Sequence, residues 1–214
     1  MKGRGVFLVV TVVWLVAPAV AGATTLYDTS GATITCNTLI GTVAPKPFLT
    51  LTAEPNTVMT IKGTLGGCTV SGAAPAAPAL QVLSGKMTAK LTVTTDASCA
   101  TLVSGGFQVT GDLVFKWKTA TGQKLDFSSS VFTPDAAGLV AGLVDVGAST
   151  YGAFTATGTL ASGGAFAGGT PGFFVVSAED IFNMAGQCCT DAMSCSPVGK
   201  GIRKLHFGIG QIQM

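Results

Sequence analysis

The sequence predicts an all-β protein, an antiparallel sandwich or barrel of about ten strands with one short helix near the C-terminus. Three observations carry this expectation. Several segments alternate apolar and polar residues with period two, glycine pairs punctuate them, and threonine crowds their polar faces. Period-two alternation marks a strand with one buried face, and glycine pairs mark turns. Threonine's branched Cβ suits a pleated surface.

The clearest strand is Phe107 to Lys118. Phe107, Val109, Leu113, Phe115 and Trp117 point one way; Gln108, Thr110, Asp112, Lys116 and Lys118 point the other. Gly111 falls on the apolar face, the mark of a bulge or a close approach. Lys86 to Thr95 repeats the pattern, with Met87, Ala89, Leu91 and Val93 opposing Lys86, Thr88, Lys90, Thr92 and Thr94. Met59, Ile61 and Leu65 oppose Thr60, Lys62 and Thr64 in a third strand. Phe154, Ala156 and Leu160 alternate with threonines, and Leu205, Phe207 and Ile209 oppose Lys204 and His206. Leu139 to Val146 reads as a strand, because Gly138, Gly142 and Gly147 weaken a helix. The turns are Gly66-Gly67, Gly105-Gly106, Gly163-Gly164, Gly168-Gly169 and Pro171-Gly172. The helix is expected from Ser177 to about Gln187, opened by the capping-box sequence Ser177-Ala178-Glu179-Asp180.

The first residues point to export. Lys2 and Arg4 form a basic start, Val6 to Val16 is apolar except for Thr11, and Ala21-Gly22-Ala23 supplies small residues for cleavage. Those are the parts of a secretory signal, in order. The apolar run is shorter than the ~20 residues that span a bilayer, so residues 1–23 are expected to be a cleaved signal and 24–214 a single β-rich domain. Ser71 to Ala79, with Pro75 and Pro78, reads as a long surface loop; the alternative is a linker after a small domain from Thr24 to Val70. No transmembrane segment is expected after cleavage.

The 12 basic residues lose Lys2 and Arg4 with the signal, leaving 10 against 10 acidic residues. A formally neutral chain with 10% charged residues shows no electrostatic footprint for nucleic acid or anionic lipid. Mean hydropathy is +0.56, inflated by the signal.

All six cysteines, Cys36, Cys68, Cys99, Cys188, Cys189 and Cys195, lie beyond residue 23. An even count in an exported chain reads as disulfides. A metal site at Cys188, Cys189 and Cys195 is the competing reading, but its spacing is poor and the single histidine, His206, has no evident partner. Cys36–Cys68 is the preferred pairing because the two fall on neighbouring strands; Cys99 is then expected to bridge to the C-terminal cluster.

No residue set announces catalysis. A serine hydrolase needs a base beside its nucleophile, and His206 sits on the polar face of a strand. No nucleophile elbow is present. Gly163 to Gly169 lacks the ending of a phosphate loop, and no calcium loop occurs. Glu179 and Asp180 suit a helix start. Trp117 invites a sugar-platform reading, yet it shares a face with Phe115 and Leu113 and is expected in the core. Tyr27 and Tyr151 are isolated, and two tyrosines with one remaining tryptophan do not build the girdles of an outer-membrane barrel. No catalytic, cofactor or metal residue is therefore expected.

Phe115-Lys116-Trp117-Lys118-Thr119-Ala120-Thr121-Gly122-Gln123-Lys124-Leu125, together with Ile34 to Leu39, Gly67 to Ser71 and Phe207 to Gly210, resembles segments of uncharacterised secreted β-rich bacterial proteins. The resemblance implies a secreted β fold and no particular activity; Cys188, Cys189 and Cys195 look like additions to the cysteine pattern of those proteins. The chain is thus expected to be a non-enzymatic secreted or cell-envelope binding or structural module of unknown ligand and partner. The alternative is a secreted glycan-directed hydrolase using a carboxylate pair.

Overall fold

The period-two segments become long antiparallel strands in a computed structural model that describes residues 24–50, 52–72, 79–98, 101, 108–135, 140–146, 149–167, 172–177 and 203–214. In chain order the strands are β1 (Thr25–Tyr27), β2 (Thr33–Lys46), β3 (Val58–Ser71), β4 (Val82–Val93), β5 (Val109–Thr110) and β6 (Leu113–Thr119). They continue as β7 (Gln123–Leu125), β8 (Ser129–Pro134), β9 (Val140–Val146), β10 (Ser149–Leu160), β11 (Gly172–Ser177) and β12 (Leu205–Gln213). Every described element is a strand. Of the predicted strand Leu139 to Val146, Val140–Val146 is β9; Leu139 lies outside the described residues. Ser177 closes β11, while the rest of the helix expected to Gln187 lies outside the described residues, as do Phe107, residues 1–23, and Cys99, Cys188, Cys189 and Cys195.

Strand order in the main sheet is β11-β12-β2-β3-β4-β6-β8-β10-β9. β10 is the hinge of the architecture. Along one edge it pairs with β9 over Ser149–Thr155 and with β8 over Gly158–Leu160. It also pairs with β11 over Ala153–Thr157. Since β11 pairs with β12 and β12 with β2, the antiparallel ladder curls back on itself and encloses one core. β1 and β7 form a separate parallel pair.

The inside of the curl is apolar and close-packed. Ile34, Leu39, Met87, Leu91, Leu113, Phe115, Phe132 and Ile212 are fully buried. Each such side chain contributes about 1.5–3 kcal/mol relative to leaving it in water. Register explains the layering: Met87 stands opposite Phe115, and Leu113 opposite Phe132. The predicted strand through Gly111 is broken there into β5 and β6. Gly111 takes φ +118°, and an added Cβ would meet the Lys90 carbonyl oxygen at 2.8 Å, so only glycine fits. Gly85 plays a different part. It stands opposite Trp117, and a Cβ there would meet the indole at 2.9 Å; the missing side chain lets the ring lie across β4.

Cys36 and Cys68 face each other across β2 and β3 and form the expected disulfide. It staples a ladder that already runs from Thr33↔Ser71 to Lys46↔Val58.

A polar seam closes one end of the core. The loop after β10 drives Phe166 inward, fully buried at φ +61°, a conformation that an aromatic residue rarely adopts. Its ring meets Trp117 edge-on at 5.5 Å, and Trp117 stacks on Phe115 at 6.1 Å. Trp117 Nε1 donates to Ser130 Oγ at 2.9 Å, and Ser130 Oγ donates to the Ala165 carbonyl at 2.6 Å. The Phe166 amide donates to Thr29 Oγ1 at 3.1 Å, and Thr29 Oγ1 donates to Asp126 Oδ1 at 2.8 Å. The buried donors at this end therefore keep partners, which removes the 1–3 kcal/mol penalty, roughly, that each unsatisfied group would impose.

Candidate functional site

The outer face of β3, β4 and β6 gathers five lysines. Alternation turns Lys62 of β3, Lys86 and Lys90 of β4, and Lys116 and Lys118 of β6 outward, and all five are exposed. Pairing then brings them together. Lys86 stands directly opposite Lys116, Lys118 lies opposite Ser84, Lys62 opposite Thr88 and Lys90 opposite Thr60. Directly opposed side chains on one face have Cβ atoms about 4.5–5.5 Å apart, so Lys86 and Lys116 meet as like charges.

Within the strands themselves no carboxylate offsets that charge. β2, β3, β4 and β6 hold six lysines, counting Lys46, and no aspartate or glutamate. Among the described residues none of the five outward lysines makes a hydrogen bond or ion pair. Like charges opposed across a ladder destabilise it by a few tenths of a kcal/mol to about 1 kcal/mol. Neutral net charge in the sequence concealed the cluster, because it averages the face against the loops. A signal was present nonetheless: between Asp28 and Asp96 the chain has Lys46, Lys62, Lys86 and Lys90 but only one carboxylate, Glu54.

Of the described carboxylates, Asp112 directly precedes β6 on the same outward side as Lys116 and Lys118, and the pairs Ala89↔Leu113 and Thr92↔Thr110 bring it beside Lys90 at one end of the face; Asp28, Asp126 and Asp135 are held by hydrogen bonds elsewhere. Asp126 accepts from the Thr29 amide at 3.2 Å, from the Thr29 hydroxyl and from the Phe127 amide at 2.9 Å. Asp112 accepts from Thr133 Oγ1 at 2.6 Å, and Asp135 from the Thr157 hydroxyl. Asp28 and Asp126 approach each other where β1 and β7 end. The Ser30 amide, which donates to Asp28 Oδ1 at 2.8 Å, and then the Ser30 hydroxyl hold the Asp28 carboxyl below its ordinary value; Asp126 adds to this, and slight desolvation opposes it. A general acid requires the opposite shift, so Asp28 is not set up for that role.

The other singled-out residues divide between core and surface. Trp117 is half-buried, held between Phe115 and Phe166 with its N–H donated to Ser130, so its faces are engaged by protein. His206 is exposed on β12 opposite Thr42. Tyr27 is buried beside Gln123, whose Nε2 donates to its hydroxyl at 3.2 Å. Gly163 and Gly164 belong to the loop that inserts Phe166. Glu179, Asp180 and Tyr151 carry no described side-chain geometry. Comparison with known protein families, characterised proteins and solved structures returns no match.

Proposed function

We propose that this chain is an exported, non-enzymatic binding module whose working surface is the outer face of β3, β4 and β6. The observation that carries the reading is the direct opposition of Lys86 and Lys116 within a field of lysines that no carboxylate of the same strands balances. A fold that retains an arrangement unfavourable to its own stability points to a use for it. Export is supported by the signal-like first 23 residues and by the Cys36–Cys68 disulfide, which suits an oxidising compartment.

The partition of side chains supports an aqueous setting for this face. At the outward positions of the band the side chains are mainly lysine and threonine, with the apolar residues between them buried, unlike the apolar outer wall of a barrel that meets lipid. Among the described residues no helix is long and apolar enough to cross a membrane.

Chromatography on a sulfonate cation exchanger at neutral pH tests the reading. The mature chain, formally neutral, is expected to be retained through the lysine face, and the double variant K86Q/K116Q to elute earlier. Elution of the wild-type protein in the flow-through, or unchanged retention of the variant, would sink it.

A further inference from the structure

The lysine face has a shape as well as a charge. Successive outward positions along a strand are about 7 Å apart and neighbouring strands about 4.8 Å apart. The rungs run from Lys118 opposite Ser84, through Lys116 opposite Lys86, then Lys62 opposite Thr88, to Lys90 opposite Thr60. Four consecutive rungs across three strands make a band about 20 Å long and about 10 Å wide. A linear chain laid along the strands would match that outline.

Threonine hydroxyls alternate with the ammonium groups along the band, at Thr60, Thr64 and Thr88. Lysine presents a compact point charge and no planar fork, which suits single, spaced anionic groups better than bidentate recognition. The outward positions of these strands carry no aromatic ring and no arginine, so the stacking platform that unpaired nucleic acid uses is missing. The wall curls away from this face, so a flat bilayer would touch only a strip of it, whereas a flexible chain can follow the band. An anion-bearing polysaccharide offers both things the face displays partners for, spaced single charges and many hydroxyl groups.

We infer that the band Lys118–Lys116–Lys86–Lys62–Lys90 binds a linear acidic polysaccharide, an inference that rests on the outer face being the working surface. Carboxylated and sulfated chains share the required chemistry, and they are distinguished by using one of each.

Binding of the full secreted chain to polygalacturonate, dextran sulfate and uncharged dextran is measured at low salt. Vesicles containing phosphatidylglycerol and a poly-dT oligonucleotide run beside them. At least one of the two acidic polysaccharides is expected to bind more tightly than vesicles or oligonucleotide, and dextran not at all. K86Q/K116Q is expected to weaken that binding on the order of tenfold, with an unchanged circular dichroism spectrum. K124Q, an exposed lysine on β7 that is no part of the band, is expected to leave it unchanged. Raising salt to about 1 M, where the screening length falls to about 3 Å, is expected to abolish it. Tighter binding to vesicles or oligonucleotide, still lost in K86Q/K116Q, would overturn the polysaccharide assignment and leave the working face standing. Failure of every probe to bind, or binding that K86Q/K116Q does not weaken, would overturn both.

Discussion

Where the loops gather, Asp126 accepts three hydrogen bonds, and Asp135 takes one from a threonine hydroxyl. On the outer face of β3, β4 and β6, five lysines stand exposed, and among the described residues none is hydrogen-bonded or ion-paired. The carboxylates of the loops are thus part of what holds the fold, while the lysines of the face stand apart from it. The difference teaches which charges the fold itself accounts for and which it does not. Charge that satisfies backbone amides and hydroxyls needs no further explanation, whereas charge set against like charge does.

The sharpest way to break this comparison uses neighbours on one strand. Phe115 is fully buried and Lys116, the next residue, is exposed. Phe115→Ala is expected to cost about 3–5 kcal/mol, and Lys116→Gln to change stability by less than about 0.5 kcal/mol. Urea denaturation midpoints at equal slope measure both. Similar losses from the two would show that β6 faces the wrong way and that the lysine band does not exist.

Asp126 comes next in size. Its removal in Asp126→Ala strips partners from the amide and hydroxyl of Thr29, which is fully buried and also receives the Phe166 amide. Leaving those groups short of partners is expected to cost about 1–3 kcal/mol. A loss within error of zero would mean that the loop carboxylates are as dispensable to the fold as the lysines, and the contrast would fail from that side.

A change of opposite sign sharpens the comparison on the face itself. Lys116→Glu replaces a repulsive pair with an attractive one directly opposite Lys86. It is expected to raise stability by about 0.2–1 kcal/mol while weakening retention on a cation exchanger. Gain of stability with loss of binding is the signature of a surface kept for a partner. A variant that is both less stable and still retained would deny it.

How far the sequence foretold this contrast depends on the range of the interaction. Alternation in Lys86 to Thr95 and around Phe115 showed which side chains turn inward, and the structure buries Met87, Leu91, Leu113 and Phe115 accordingly. Gly111 was legible as an interruption because glycine on an apolar face has a local cause. The Cys36–Cys68 bond was legible because its strands are sequence neighbours. By contrast, no periodicity announces that three residues at Thr25–Tyr27 pair in parallel with Gln123–Leu125, since so short a strand owes its existence to its partner. Phe166 was hidden in a glycine- and alanine-rich loop, its burial set by the seam to Thr29 and Trp117. The lysine band was half visible: each strand showed its own lysines, but the register that sets Lys86 against Lys116 is a non-local fact that composition averages away.

The smallest expected effect lies at Asp28, and only its direction matters. The Ser30 amide and hydroxyl stabilise the ionised carboxyl, so its folded value lies below the ordinary 3.8. A group whose folded value is depressed contributes stability that is present above the unfolded value and lost as pH falls through the folded one. The window is therefore the acid side of 3.8, and nothing is expected from this group near neutrality. Asp28→Asn should accordingly flatten the decline of melting temperature as pH is lowered from about 6 to about 2, because the mutant no longer binds a proton there on unfolding. The lysine variants K86Q and K116Q should leave that acid slope unchanged, since neither lysine stands opposite a carboxylate. If Asp28→Asn keeps the wild-type slope, the Ser30 contacts do not hold the carboxyl in solution, and the claim that loop carboxylates belong to the fold loses this residue. If K86Q alters the slope instead, a carboxylate must lie against the Lys86–Lys116 pair, and the like-charge opposition on which the contrast depends would be wrong.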